Sequence, residues 1–148
     1  MIVIGFDGSA GARLAVDRAG ALFPGQPALV LTAWVGVTEA APELLLAPGG
    51  VVMATIAALG DAMRERAEGL AAEGAGLAAE AGLQAEPRAV HSSHAQWKAI
   101  VSCADESDAT VIVLGTRGHS VITSAVLGSV TNGVLNNAAR PVLIVPGR

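Results

Sequence analysis

Cys103 is the only cysteine in 148 residues. No intrachain disulfide can form, which suits a reducing cytoplasm. Cys103 lies one turn from Ile100 on an apolar helical stripe, where a thiol is ordinarily a small buried hydrophobe. Charge is also scarce: charged residues make up 15% of the chain against 52% hydrophobic. A disordered chain has the opposite balance. There is no basic tract, and the net charge is −4. That argues against duplex DNA or RNA as a partner, because phosphate backbones are held by clustered Lys and Arg. A nucleotide is still allowed, since backbone amides hold phosphates too. Long membrane-type runs are missing as well. Leu44 to Gly60 carries no formal charge but is broken by Pro48-Gly49-Gly50. Gly118 to Ala139, with His119 neutral, carries Ser, Thr, Asn and Gly throughout. Neither reads as a membrane span. The first apolar run has no basic flank and is interrupted by Asp7, so it does not read as a signal peptide.

The common catalytic signatures are missing too. No G-x4-G-K-[ST] loop, G-x-G-x-x-G fingerprint, G-x-S-x-G elbow or H-E-x-x-H pair occurs. His91 and His94 stand three apart with no Cys, Asp or Glu at metal spacing beside them, so no zinc site is read. Strong ATPase chemistry needs a metal ligand and a water-positioning group, and the pattern announces neither. Any Mg²⁺ would be held mainly by a ligand's phosphates and water.

What is present is an alternation of apolar runs and helical periodicities. Met1 to Phe6 reads as a strand buried on both faces, followed by an Asp7-Gly8-Ser9 turn in which Ser9 caps the next helix. Ala12, Ala15, Val16, Ala19, Leu22 and Phe23 mark that helix's packed face, and Pro24-Gly25 stops it. Ala28 to Val35 is a second strand; Gly36 to Gly50 is a loop with an apolar tip at Leu44-Leu45-Leu46. Val51 to Glu80 reads as one long helix. Its buried side is expected at Ile56, Leu59, Met63, Leu70 and Leu77, and its wet side at Asp61, Arg64, Glu65, Glu68 and Glu73. Leu83 to His91 is a third strand, placed at an edge by Pro87. Trp97, Ile100, Val101 and Ala104 stripe a further helix that ends at Asp105 to Asp108. Strands alternating with helices imply a mostly parallel sheet covered on both faces, within one domain over 1–148.

The most informative stretch is Val111 to Thr131, VIVLGTRGHSVITSAVLGSVT. An apolar β-branched strand ends at Gly115, Gly118 follows, and Gly128-Ser129 opens a helix carrying Val130, Val134, Leu135 and Ala138. A helix N-terminus presents free N–H groups and a dipole that favours an anion. The spacing G-x2-G-x9-G-S, spanning Gly115-Thr116-Arg117-Gly118 and Gly128-Ser129-Val130-Thr131, resembles the nucleotide-binding signature of the universal stress protein family. Ile4 to Ser9 resembles that family's first strand and turn, and Arg140 to Pro146 its last strand. The resemblance runs from residue 2 to residue 146.

The resemblance implies a five-stranded parallel Rossmann-like sheet in the order 3-2-1-4-5, with helices on both faces. It also implies an ATP-binding regulatory stress-response protein with no catalytic residue set. The nucleotide-binding residues so implied are Asp7, Ser9, Val35, Gly115, Arg117, Gly118, Gly128, Ser129, Val130 and Thr131. Asp7 would lie near the adenine or ribose, and the backbone of Val35 would read the adenine edge. Arg117, between the two loop glycines, either neutralises phosphate or stands as a solvated loop charge. Ser120 to Leu127 carries none of the basic residues that relatives often place there. In an open α/β sheet the ligand crevice lies beyond the strand C-termini where strand order reverses, and Asp7 and Gly115 each follow one of the two strands expected to flank that point. A homodimer through Val142 to Val145 is implied as well. Two other readings remain: an interaction module that dimerises without nucleotide, and a slow ATP hydrolase using Asp7.

Overall fold

The computed structural model describes residues 1–42, 50–93, 95–116 and 127–147. The short apolar runs become strands: β1 Ile2–Gly5, β2 Pro27–Trp34, β3 Gln84–His91, β4 Val111–Gly115 and β5 Val142–Val145. The helices are α1 Ala10–Leu22, α2 Val37–Ala40, α3 Gly50–Glu80, α4 Gln96–Glu106 and α5 Ser129–Asn137. All four strand pairings are parallel, and the order is β3-β2-β1-β4-β5. The five-stranded, doubly covered sheet expected from the sequence is therefore the fold. Pro87 sits on edge strand β3, opposite Val30, where a missing N–H costs least.

β1 is central because it is buried on both faces. Ile2, Ile4 and Phe6 point to one side and pack with Ala12, Val16 and Ala19 of α1 and Ala75 and Ala78 of α3. Val3 points to the other and joins Leu29, Leu31 and Ile112 against Ile100, Cys103 and Ala104 of α4 and Val134 of α5. Cys103 is buried in that second layer, and its Sγ accepts a hydrogen bond from Arg88 Nη1 at 3.5 Å. Arg140, just before β5, ties the sheet to the end of α4 by bonds to Asp105 at 3.1 Å, Asp108 at 3.0 Å and the Ala109 carbonyl at 2.6 Å. The two aspartates raise its pKa, so its charge persists at every ordinary pH.

The structure departs from the sequence expectation in two places. The Gly36 to Gly50 stretch contains the one-turn helix α2, with Gly36 at its N-cap; the Leu44 to Leu46 tip lies outside the described residues. In α3 the fully buried residues are Ala67, Ala71, Gly74, Ala75 and Ala78; of the expected large side chains Leu77 packs half-buried against the core, and Leu59 is 46% exposed. Gly74 explains the difference: a Cβ there would stand 2.7 Å from the Phe6 ring and 2.8 Å from Val30. The helix seats on the sheet through its smallest residues, with Leu77 packed beside them and Met53 and Leu59 exposed.

Candidate functional site

The site is built where β1 and β4 end side by side and their chains diverge. From Gly5 the chain runs through Phe6, whose N–H still reaches the Leu31 carbonyl at 2.8 Å, and then turns at Asp7. Asp7 Oδ1 accepts the Ser9 N–H at 3.0 Å, and Gly8 takes φ 77°, which closes the turn. Ser9 Oγ then accepts the Ala12 N–H at 3.2 Å and caps α1, as its residue type predicts. Across the gap, Gly115 ends β4. A Cβ on it would lie 2.6 Å from the Gly11 carbonyl, so this glycine lets α1 press against β4.

Gly128 is the N-cap of α5, and its N–H donates to the Thr116 carbonyl at 3.1 Å. Thr131 Oγ1 donates to the Gly115 carbonyl at 3.0 Å and fastens the first turn of α5 to the end of β4. The amides of Ser129, Val130 and Thr131 belong to that first turn, whose N–H groups have no intrahelical acceptor.

These pieces enclose a cleft of about 490 Å³. Of the residues expected from the sequence, Asp7, Ser9, Gly115, Gly128, Ser129, Val130 and Thr131 all line it. Val35 follows the last residue of β2 and is not in the lining; Ala33, two residues earlier, is. Arg117 and Gly118, with His119, lie outside the described residues, as does His94. The structure adds residues to which no motif pointed: Phe6, Leu31, Leu114 and Ile100 as apolar walls, and Gln96 from the first turn of α4. Only their place in the topology brings them there.

The chemistry of the cleft follows from this lining. The walls are apolar, one end carries the positive pole of α5, and Asp7 is the only ionisable side chain among the described lining residues. An apolar planar group with a phosphate tail matches such a surface. Asp7 alone does not make a metal site, and no three His, Cys, Asp or Glu side chains converge among the described residues. No helix there is long and apolar enough to cross a membrane.

A doubly wound sheet with its crevice at the strand-order switch, faced by a helix N-terminus, defines a nucleotide-binding type of architecture. The sequence places it further. The family model described as the universal stress protein family matches residues 1–146, and this chain belongs to that family. A search of curated proteins gave no significant match. Among solved structures, the chain is similar to a universal stress protein in complex with cAMP, at 31% identity and a TM-score of 0.67 over 97% of this chain and 94% of that one. It is similar to a universal stress protein from Archaeoglobus fulgidus at 25% identity and a TM-score of 0.72, over 97% and 96% of the two chains. The universal stress protein from Archaeoglobus fulgidus in complex with dAMP, at 22% identity and a TM-score of 0.66 over 97% and 94%, shares the fold.

Proposed function

We propose that the chain is a single nucleotide-binding domain that holds an adenine nucleotide in the β1–β4 cleft and acts as a regulatory stress-response protein rather than as a catalyst. The base occupies the apolar end, between Leu31, Ala33 and Ile100, and the phosphates rest on the first-turn amides of α5 from Ser129 to Thr131. Asp7 meets the ribose, and ATP, with Mg²⁺ carried on its phosphates, is the nucleotide read from the signature. The observation that carries this reading is the coincidence of an apolar cleft with a helix N-terminus at the topological switch point. It is supported by the relative at 31% identity that was solved with cAMP.

The test is to purify the protein without added nucleotide, denature it, and identify released small molecules by adenine absorbance and mass spectrometry. Calorimetric titration with ATP, AMP and cAMP then ranks the ligands. An adenine nucleotide recovered from the protein, or saturable heat with one of the three, is the expected result. An empty protein that gives no heat with any of them would falsify the reading and leave a dimerisation module.

A further inference from the structure

Resting on that reading of the cleft, we infer that Gln96 selects the base. The argument begins in the backbone of β2. The Leu31 carbonyl accepts the Phe6 N–H, so it points towards β1. In an extended strand the backbone groups alternate sides. The Ala33 carbonyl, two residues on, therefore points the same way. By then β1 has ended: its register with β2 stops at Gly5 opposite Leu31, and the chain has turned at Asp7. The Ala33 carbonyl thus opens on the cleft instead of on a neighbouring strand. The group that meets it is Gln96 Nε2, at 3.1 Å.

A primary amide has two N–H donors and an acceptor oxygen. The bond to Ala33 uses one N–H and holds the amide nitrogen at the end of β2. The second N–H and Oε1 are not used by that bond, and Gln96 lines the cleft, where a bound base can meet both. That pair is complementary to the N6/N7 edge of adenine, where the amino group donates and N7 accepts. The same edge of guanine offers O6 and N7, two acceptors, and would set O6 against Oε1. The other polar side chains of the lining are already placed. Asp7 Oδ1 accepts the Ser9 N–H, Ser9 caps α1, Thr131 holds the Gly115 carbonyl, and Ser129 stands on the phosphate side at the start of α5. Among the described lining residues Gln96 is the one primary amide.

The experiment is calorimetric titration of wild type, Gln96→Leu and Gln96→Glu with AMP, GMP and 7-deaza-AMP, which keeps the amino group and lacks the N7 acceptor. All three ligands carry the same ribose and phosphate, so differences report the base. Wild type is expected to bind AMP about tenfold more tightly than GMP or 7-deaza-AMP, the scale of one good amide–base pair. Gln96→Leu removes both groups and should bind AMP and 7-deaza-AMP alike. Gln96→Glu keeps the shape and the acceptor but has no donor, so it too should lose the difference. An unchanged melting temperature shows that each variant is folded. Wild type that binds AMP and 7-deaza-AMP equally, or a Gln96→Leu variant that keeps the full preference, overturns the assignment while leaving the nucleotide site standing. Wild type that binds none of the three removes the site reading itself.

Discussion

Gly115 and Gly128 look alike in the sequence signature, yet the structure gives them different work. At Gly115 a Cβ would be driven into the Gly11 carbonyl, and backbone cannot step aside as a side chain can. Gly115→Ala should therefore destabilise the fold by about 1–3 kcal/mol, the usual cost of overpacking, with a lower urea midpoint. Gly128 has φ −59°, open to any L-residue, and among the described residues a Cβ there would meet only the Thr116 carbonyl oxygen, at 3.7 Å. Gly128→Val should leave the midpoint within about 1 kcal/mol of wild type, the scale of an N-cap change. Its side chain would instead stand where the proposed phosphates approach α5, and nucleotide affinity should fall at least about tenfold, by the same reasoning that makes close backbone approach need glycine. A Gly128→Val protein that binds as tightly as wild type would move the phosphates off α5. The spacing alone could not separate these two roles, because it records where glycine stands and not what its missing Cβ would have struck.

At the scale of elements, α3 shows how far periodicity reaches. Its existence and limits were legible, since Val51 to Glu80 was expected and Gly50–Glu80 is found. Its buried face was legible only at Leu77, because the expectation weighted Leu and Met over Ala and Gly. A helix of 31 residues is about 46 Å long at 1.5 Å per residue, whereas the eight residues of β2 span about 27 Å. The first half of α3 therefore overhangs the sheet, with Met53 at 60% exposure. The second half packs closely on alanines. Leu59→Glu should change stability by less than about 0.5 kcal/mol, as surface substitutions do. Ala71→Leu should cost about 1–3 kcal/mol by overpacking. Chemical denaturation of the two variants side by side tests the assignment; a larger loss in Leu59→Glu would return Leu59 to the core. The cleft was legible in the same partial way. Asp7, Ser9 and the Gly128 to Thr131 turn follow from local signals at strand and helix ends. Gln96 and Ala33 do not, because they reach the cleft only once β2 outruns β1 and α4 folds back over it.

In the whole molecule β5 forms one edge of the sheet. The Ile112 N–H reaches the Pro141 carbonyl and the Thr116 N–H reaches that of Val145. Alternation then turns the backbone groups of Pro141, Leu143 and Val145 towards β4, and those of Val142 and Ile144 outward. β5 is last in the sheet order, so among the described residues those outward groups have no neighbouring strand. An edge of this kind is ordinarily covered, charged or paired, and none of Val142 to Val145 is charged. We propose that a second copy pairs with it across a two-fold axis, which would satisfy the same groups on both chains. Val142→Pro tests this sparingly. It deletes one outward N–H and no bond to β4, at a position already held extended between Pro141 and the ladder. Sedimentation equilibrium should show wild type as a dimer and Val142→Pro shifted to monomer, with an unchanged circular dichroism spectrum. If the variant dimerises as wild type does, the interface lies elsewhere; the overhanging half of α3, with Met53 and Leu59 exposed, would be the next surface to substitute.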